Sequence, residues 1–274
     1  MVRSRACGAL APCTTRRPVS SSSSVARSSS PSPRRRRAAP TFDLAGVIRV
    51  LRKLYGVPAP RRPTEPFALV LWENVAYLAN DAQRARAFAL LKRTVGLAPP
   101  KVRAAAQAKL LAVTSHGILP VVFAAKLRRA AELAREHFDD DVAAAARQPL
   151  AAALRAMRTF PGIGEPGAET ILLFARAHPV LGLDSNGLRV LVRLGAAREG
   201  KNYAATYAAV RRALAPALPT DFDRLITAHR LLRRHGQEIC RRARPTCEIC
   251  PLSDRCDYYR TVSADPTPEA TRGR

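Results

Sequence analysis

The stretch Phe160-Pro161-Gly162-Ile163-Gly164 lies between two apolar helical patterns, one that ends near Arg158 and one that begins near Gly167. Its two glycines allow the backbone to turn tightly, and the amide groups of such a turn can bind a phosphate oxygen at a helix N-terminus. A turn of this kind contacts a nucleic-acid backbone without reading its sequence. Turns rich in Pro and Gly also join helices in many unrelated proteins, so the hairpin alone leaves an ordinary helix connection open.

Helical periodicity extends outward from this hairpin on both sides, and almost no alternating strand pattern is visible. We therefore predict an all-α fold. Asp43 and Gly56 have the residue types and positions of an N-cap and a C-cap for the first helix. The predicted helices span residues 44–55, 67–79, 82–95, 102–112, 120–137, 150–158, 168–177, 186–194, 203–213 and 222–235.

The charge of the chain is strongly positive. Lys and Arg number 46 against 21 Asp and Glu, which gives a formal net charge of +25. Such a balance favours a polyanionic partner through phosphate neutralisation and counterion release, and nucleic acid is the expected one. An arginine-rich codon bias would raise the charge in the same way. No apolar run reaches the roughly 18 to 20 residues that cross a bilayer, so we expect a soluble protein without membrane insertion.

The two ends of the chain differ from the rest in composition. Residues 1–41 consist largely of Ser, Arg, Pro and Ala and contain no acidic residue, which predicts disorder. The same composition fits an organellar transit peptide, while a flexible basic arm or a mis-assigned start codon is equally open. Residues 260–274 are predicted to form a second polar tail. In a bacterial source the expected location is the cytoplasm, at the nucleoid.

Four of the six cysteines crowd into one segment, Cys240-x6-Cys247-x2-Cys250-x5-Cys256. This clustering indicates a metal site in a reducing compartment rather than disulfides. Four thiolates at these intervals suit either one cubane iron–sulfur cluster or one tetrahedral zinc ion. The ligand chemistry alone does not choose between the two metals.

Two carboxylates are candidates for catalysis. Asp184 follows an apolar stretch and could cap a helix while it faces a groove, where its charge would stabilise a positive deoxyribose as a glycosidic bond breaks. A plain N-cap is the alternative. Glu73 is an isolated carboxylate in the apolar segment 66–75, and burial beside Trp72 would let it act as a general acid toward a base nitrogen. A solvent-exposed or salt-bridged glutamate is the alternative there.

Together, these motifs resemble the helix-hairpin-helix DNA glycosylases of the endonuclease III and MutY type, over residues 41–259. The cysteine intervals are similar to the loop that holds a [4Fe-4S] cluster in that family, and His235-Gly236 before Cys240 is similar too. The hairpin resembles the leucine-proline-glycine-valine-glycine signature, with Phe160 in place of the leucine. The segment from Asp184 to Val190, Asp-x-Asn-x-x-Arg-Val, looks most like the MutY branch.

The resemblance implies a two-lobed fold and a set of roles. A six-helix barrel with the hairpin would span residues 65–181, and residues 42–64 and 182–259 would form the lobe that carries the [4Fe-4S] cluster. Asp184 falls on the family's catalytic aspartate, and Glu73 on the MutY-type glutamate that protonates the excised purine. The implied cluster ligands are Cys240, Cys247, Cys250 and Cys256.

The resemblance also implies the partner, double-stranded DNA with a damaged or mismatched base, bound by a monomer. Leu78 lies where the family has a loop that fills the gap left by a flipped base, and it could serve as an apolar wedge. A core leucine is the alternative for this position, and neighbouring Tyr77 could line the base pocket. The predicted DNA-binding residues are Gly162, Ile163, Gly164, Leu78, Asn186 and Arg189.

Departures from the family pattern shape the expected reaction. Pro166 stands where bifunctional members carry a lysine that attacks the sugar, so the resemblance implies a monofunctional enzyme in which water attacks. We do not expect Lys109 or Lys126 to replace that lysine. Glu165 stands where the family usually has a basic residue, which would weaken the grip of the hairpin on phosphate. The chain also ends soon after the cysteines, without the MutY C-terminal domain, so adenine opposite oxidised guanine is not predicted as the substrate.

The sequence therefore predicts a monofunctional DNA glycosylase of base excision repair, which hydrolyses an N-glycosidic bond without cutting the strand. A catalytically silent protein that binds damaged or unusually structured DNA, with the same fold and cluster, is the main alternative. A zinc-bearing nucleic-acid-binding module, which would retain only the cysteines, is the second alternative.

Overall fold

The computed structural model describes residues 42–58 and 62–264. The predicted disordered segment 1–41 and residues 265–274 of the predicted tail lie outside this part. This part of the chain consists of α-helices and short 3-10 helices joined by loops, and it contains no strand. The α-helices are α1 Leu44–Tyr55, α2 Pro66–Asn74, α3 Asp81–Thr94, α4 Pro99–Ala104, α5 Gln107–Thr114, α6 Pro120–Phe138, α7 Val142–Arg147, α8 Leu150–Arg158, α9 Glu165–Phe174, α10 Ser185–Arg193, α11 Tyr203–Leu214, α12 Phe222–Glu238 and α13 Asp257–Ala264.

The first helix has both of its predicted caps. Asp43 Oδ1 accepts a hydrogen bond from the Gly46 amide at 2.8 Å, and Gly56 has a φ of 70° and donates its amide to the Arg52 carbonyl. Helix α8 also has its predicted bounds. For α1 and α8, the helix bounds predicted from the sequence therefore agree with the structure.

Other boundaries differ from the prediction. The predicted helix 102–112 is two helices, α4 and α5, because Ala105 and Ala106 are extended. Arg128 stabilises this break, since its guanidinium donates to the carbonyls of Arg103 at 2.6 Å and Ala105 at 2.8 Å. A long-range contact of this kind leaves no local trace in the sequence.

Two helices were missed. Helix α7 has only 6 residues and follows the N-cap Asp141. Helix α13 runs to Ala264, so residues 260–264 are helical and not part of a polar tail as predicted. Its Tyr258 ring lies 4.3 Å from the Arg193 guanidinium carbon, and this contact ties α13 to α10.

The helices pack in two groups. Helix α2 is apolar on nearly all sides and packs against α6, α7 and α9, with Leu69, Val70 and Leu71 fully buried. In the second group α12 packs against α1 and α10, and it also contacts α9. A Cβ at Gly236 would lie 2.6 Å from the Asn186 carbonyl oxygen, so α10 and α12 approach this closely only because residue 236 is glycine. The predicted lobe boundaries, 65–181 for one lobe and 42–64 with 182–259 for the other, remain a prediction.

Among the helices that the structure describes, none has the length and apolar character needed to span a membrane.

Candidate active site

A cleft of about 550 Å³ joins the hairpin, the loop after α2 and the N-terminus of α10. Most of the residues predicted for catalysis and DNA binding line it, although they come from distant parts of the chain. Arg189 is the exception and lies outside the wall. The predicted residues that line the cleft are Glu73, Leu78, Gly162, Ile163, Gly164, Asp184 and Asn186.

Asp184 is the N-cap of α10 and also faces the cleft. Its Oδ1 accepts from the Gly187 amide at 2.8 Å, and its Oδ2 accepts from Asn186 Nδ2 at 3.2 Å and from the Arg233 guanidinium. Burial raises the pKa of Asp184, but the charge of Arg233 and these hydrogen bonds together outweigh burial and hold the pKa below its usual value. The sequence left open whether Asp184 is a plain N-cap or a charge that faces a groove. In the structure the same carboxylate caps α10 and lines the cleft.

Arg233 on α12 connects two acidic residues at the cleft. It donates to Asp184 and, through Nη2, to Asp81 Oδ1 at 2.6 Å, and its side chain is only 18% exposed. Burial alone would lower the pKa of Arg233, but the two carboxylates raise it. The role of Arg233 is not visible in the sequence, because its two partners lie 49 and 152 positions away.

Glu73 is not the isolated carboxylate that the sequence suggested. Its Oε1 accepts from Arg62 Nη1 at 2.7 Å, and its Oε2 lies 3.7 Å from Arg84 Nη1. The salt-bridged alternative is the one present, with the difference that the ion pairs lie in the cleft wall rather than on the wet side of the helix. Proton donation by Glu73 to a base would first require the ion pair with Arg62 to open.

His229, one helical turn before Arg233 on α12, lines the same cleft. It is 2% exposed, and its Nδ1 lies 2.6 Å from the Gly182 carbonyl oxygen. Burial, and then the charge of Arg62, lowers the pKa of His229 to about 4, so the imidazole is neutral near pH 7. The i, i+4 spacing of His229 and Arg233 is the sequence signal that could have placed both on one helix face.

The hairpin is held against α2 by a buried asparagine that the sequence analysis did not single out. Asn74 Nδ2 donates to the Pro161 carbonyl at 3.0 Å, and Gly162 has a φ of 76°. A Cβ at residue 162 would lie 3.0 Å from Asn74 Oδ1, so glycine is required for both the conformation and the contact. The Ile163 amide donates to the Phe160 carbonyl at 3.2 Å and is not available to a ligand. In the described residues, the amides of Gly162 and Gly164 donate to no protein acceptor.

The charge near the hairpin depends on four positions discussed in the sequence: Pro166, Glu165, Lys126 and Lys109. Pro166 lines the cleft in the first turn of α9, and Glu165 is paired with Arg211 at 2.5 Å. Lys126 from α6 also lines the cleft, and its Nζ lies 4.3 Å from the centre of the Phe123 ring. Lys109 is exposed on α5 and is not among the residues of the wall. A lysine amine is therefore present beside the hairpin, although not where the family carries one.

An exposed apolar loop forms the rim of the cleft. Leu78 is 71% exposed with a φ of 55°, which excludes the core-leucine alternative. Tyr77 stacks on Phe123 with ring centroids 4.7 Å apart, and its carbonyl accepts from the Ile118 amide at 3.1 Å. Ile118 and Leu119 are themselves at least half exposed and were missed by the sequence analysis. In the sequence, Ile118 and Leu119 form a short apolar pair between Gly117 and Pro120, and such a pair is typical of the start of a helix.

Arg189 has a structural role in this fold. Its guanidinium donates to the Gly236 carbonyl at 2.7 Å, to the Cys240 carbonyl at 2.9 Å and to Asn186 Oδ1 at 2.9 Å. Arg189 thereby ties α10 to the end of α12 and to the first cysteine. These bonds hold the guanidinium outside the wall of the cleft, and its predicted role in DNA binding stays a prediction.

The predicted metal ligands line one cavity at the end of α12: Cys240, Cys247, Cys250 and Cys256. Arg193 Nη1 donates to Cys240 Sγ at 3.4 Å, and His235 Nε2 lies 3.5 Å from Cys250 Sγ. Burial chiefly, with the charges of the neighbouring cysteines, raises the pKa of Cys250 to about 11. Among the described residues no group of three or more His, Cys, Asp or Glu side chains has the arrangement of a formed metal site. The set of four soft sulfur donors fits both an iron–sulfur cluster and zinc.

Comparison with known proteins agrees with the geometry. No family model matches the chain. The chain is 32% identical over 105 residues to endonuclease III of Rickettsia conorii. These residues make up 38% of this chain and 47% of that relative. The chain is 29% identical over 103 residues to thymine-DNA glycosylase of Aeropyrum pernix, covering 38% of this chain and 46% of that relative. The chain thus spans about half the length of the curated relatives it matches.

The fold is similar to that of a trapped endonuclease III–DNA covalent intermediate, with a TM-score of 0.65 and 18% sequence identity. The similarity covers 81% of this chain and 99% of that chain. The predicted all-α, two-lobed fold is confirmed. The resemblance predicted from the sequence is thus confirmed as a similarity: part of the chain is similar in sequence to endonuclease III and thymine-DNA glycosylase, and the fold is that of an endonuclease III.

Proposed function

We propose that this protein is a monofunctional DNA glycosylase of base excision repair. The observation that carries the proposal is the position of Asp184, whose charged carboxylate lies in one cleft with the hairpin turn. The known proteins with which the chain shares sequence or fold include endonuclease III and thymine-DNA glycosylase, which adds support for DNA as the partner.

The proposed reaction uses Asp184 as a charge stabiliser. As the bond from C1′ to the base breaks, positive charge develops on the deoxyribose, and a carboxylate nearby lowers the energy of that state. Arg233 and the Gly187 amide hold the carboxylate in its ionised form. Water then supplies the oxygen that bonds to C1′, and the product is a strand with an abasic site.

Glu73 has a different part in this proposal than in the sequence analysis. Its ion pairs with Arg62 and Arg84 orient two guanidinium groups at the wall of the cleft. Donation of a proton to a departing purine remains open to Glu73 only after these pairs separate. Its expected contribution is therefore the placement of positive charge near the departing base.

DNA binding would use the hairpin and the apolar rim. The exposed amides of Gly162 and Gly164 suit a phosphate oxygen, and Lys126 beside them supplies a positive charge that Glu165 does not. Leu78, with Ile118 and Leu119 next to it, is suited to fill the gap in the stack when a damaged or mismatched base leaves the duplex. We expect the enzyme to act as a monomer.

Strand cleavage is not part of the proposal, because Pro166 has no nucleophile. The amine of Lys126 in the cleft is the one observation that favours a bifunctional enzyme instead. Its position against the Phe123 ring fits a phosphate contact at the mouth of the cleft. Trapping with borohydride distinguishes the two, since only a Schiff base is trapped.

A [4Fe-4S] cluster is the proposed cofactor of the four cysteines. When bound, it supplies structural order to the loop rather than chemistry at the sugar. Arg193 and His235, which contact the sulfur atoms of Cys240 and Cys250, suit a thiolate-bound cluster, since donors to the sulfurs tune such centres. The loop is joined to the C-terminal end of α10, where Arg193 donates to the carbonyls of Arg241 and Arg242.

The decisive experiment is a panel of duplexes that each carry one damaged or mismatched base, incubated with the purified protein and analysed with and without alkali. Release of a base with strand breaks only after alkali supports a monofunctional glycosylase. If every duplex in the panel stays intact while binding prefers the damaged ones, the catalytically silent binding protein becomes the better description.

A further inference from the structure

Two side chains at one end of the cleft lie against the same aromatic ring. The Phe174 ring centroid lies 5.0 Å from the Arg62 guanidinium carbon and 5.1 Å from the centre of the His229 ring, which meets Phe174 edge to face. Both Arg62 and His229 line the cleft that contains Asp184. Arg62 and His229 therefore flank one ring in the wall of the cleft.

The hydrogen-bonding direction of His229 is fixed by its environment. A carbonyl oxygen, that of Gly182, lies 2.6 Å from Nδ1, so Nδ1 carries the proton and donates. Nε2 of the neutral ring is then an acceptor, and it is buried without a partner among the described residues. An unpaired buried acceptor is costly, and a ligand N–H that reached it would remove that cost.

Arg62 has the opposite polarity. Its side chain is 11% exposed, and Nη1 donates to Glu73. A guanidinium carries five N–H groups and no acceptor, so every further contact that Arg62 makes with a ligand is a donated hydrogen bond. The stack on Phe174 and the ion pair with Glu73 hold the group in one orientation.

We propose that the end of the cleft formed by Arg62 and His229 selects bases that present a carbonyl oxygen beside a ring N–H, and rejects the corresponding amino bases. Arg62 donates to the carbonyl, and His229 Nε2 accepts from the ring N–H. Uracil and hypoxanthine have this edge, whereas cytosine and adenine present an amine to Arg62 and a bare ring nitrogen to His229. Both contacts then fail, donor against donor and acceptor against acceptor.

This selection rests on the proposed glycosylase function, and it fits the charge at the cleft. When the bond from C1′ to the base breaks, its electron pair remains on the base nitrogen, and the guanidinium of Arg62 stabilises the resulting anion. The oxygen of water bonds to C1′, its proton passes to solvent, and the released base takes up a proton from solvent. Thymine and guanine in intact DNA share the selected edge but stay in the duplex, because extrusion costs least for a mispaired base.

Matched duplexes test the selection. Uracil is compared with cytosine, and hypoxanthine with adenine, each opposite a tetrahydrofuran abasic analogue so that no member of a pair is held by base pairing. We expect release of uracil and hypoxanthine at least ten-fold faster than release of their amino partners in single-turnover reactions. In a protein that releases bases, equal rates, or faster release of cytosine or adenine, would overturn the proposal.

A binding measurement separates this proposal from the glycosylase function. The same four duplexes are prepared with 2′-fluoroarabino sugars, which resist hydrolysis, and binding is measured by fluorescence anisotropy. Tighter binding of the uracil and hypoxanthine duplexes supports the selection even if the protein releases no base. Indifference in binding contradicts it even if the protein proves to be a glycosylase.

His229→Gln removes the fixed acceptor, because the glutamine amide can turn to donate or to accept. We expect the uracil-to-cytosine ratio to fall by about ten-fold, the size expected for one mismatched buried hydrogen bond. His178→Gln is the matched control, since His178 lies outside the cleft wall and its side chain bonds only the Gln148 carbonyl among the described residues. If His229→Gln does not fold, as judged by thermal melting, Arg62→Gln tests the other contact. An unchanged ratio in a folded Arg62→Gln protein would refute the assignment.

Discussion

Arg233 on α12 donates to Asp184, the N-cap of α10, and so connects the two helices through a carboxylate in the cleft. The same guanidinium reaches Asp81 at the start of α3, and the two acids share one buried cation. Removal of the arginine leaves two carboxylates, one of them largely buried, without a positive partner. The stability and the pH response of the fold therefore depend on this residue.

Arg233→Gln is expected to destabilise the protein by about 3 kcal/mol, because it breaks a buried ion pair and leaves Asp184 unpaired. The pKa of Asp184 is lowered in the folded state, so its stabilising contribution is present at neutral pH and is lost as pH falls through that lowered value. Without Arg233 the burial of Asp184 is uncompensated and its folded-state pKa moves up toward the unfolded value, so the variant should lose less stability than the unaltered protein as pH falls. Urea unfolding at a series of pH values measures both effects.

The control is Arg234→Gln, the neighbouring residue, whose pair with Glu238 lies at the surface with both side chains nearly half exposed. A surface pair of this kind contributes little, so the change should stay within about 0.5 kcal/mol. Equal destabilisation by the two variants would show that Arg233 is not a special partner of Asp184.

Leu78→Ala tests the apolar rim. The side chain is 71% exposed, so its truncation should leave the melting temperature nearly unchanged. Binding to a duplex with a mismatched base should weaken by roughly ten-fold, because nothing then fills the gap left by the flipped base. Val121→Ala, at a similarly exposed apolar residue, is the control. Equal weakening by both variants would point to a general apolar contact instead of a wedge.

Cys250→Ala should remove the visible absorbance and the bound iron, since a cluster that lacks one ligand is rarely retained. Ile249→Ala, a change at the exposed neighbour, should keep both. Optical spectra and metal analysis of the purified proteins give the answer. Zinc in place of iron in the unaltered protein would contradict the cluster and favour the zinc-bearing alternative.

Lys126→Gln is expected to reduce the dependence of DNA affinity on salt. One phosphate contact fewer lowers the slope of log affinity against log salt by about 0.9 for duplex DNA. Lys109→Gln, a change on the exposed side of α5, should alter the slope less. Titrations by anisotropy at four salt concentrations give the slopes. An unchanged slope in Lys126→Gln would remove Lys126 from the phosphate site.

The sequence was most informative where the signal is local. Asp43, Gly56 and the cysteine intervals are read within a few residues, and the hairpin needs only its own five positions. The partners of Glu73 were not visible, because Arg62 lies in the loop before the helix and Arg84 on the next helix. The same holds for Arg233, whose role is set by tertiary packing alone.

Arg189 has a structural role that the sequence did not predict. The pattern around Asp184 predicts a DNA contact for Arg189, which stays a prediction, and it gives no sign that the guanidinium donates to backbone carbonyls of α12 and the cysteine loop. Such carbonyls belong to a helix end, where the last C=O groups lack helical partners, and an arginine from a packed neighbour satisfies them. A sequence pattern gives the residue type at a site, but not which of its possible partners is nearer.

Asp184→Asn tests the proposed chemistry with the least change of structure. Asparagine is as good an N-cap as aspartate, so α10 should keep its first turn. Loss of the ion pair with Arg233 lowers the stability of the fold, so turnover is compared well below the melting temperature of the variant. The negative charge is lost, and with it the stabilisation of the sugar cation, so turnover should fall by two orders of magnitude or more, in line with loss of one electrostatic stabiliser worth about 3 kcal/mol. Affinity for the damaged duplex should change little, since the hairpin and the rim are untouched.

The same assay shows whether the enzyme is monofunctional. Asp221→Asn, a change at the exposed N-cap of α12, serves as the control and should retain full turnover. In the unaltered protein, strand breaks should appear only after alkali, and borohydride should trap no protein–DNA adduct, because Pro166 offers no amine. A trapped adduct that disappears in Lys126→Gln would instead identify Lys126 as a nucleophile. Full turnover in Asp184→Asn would show that the carboxylate only caps the helix, since a cap keeps its function in the amide and a charge stabiliser does not.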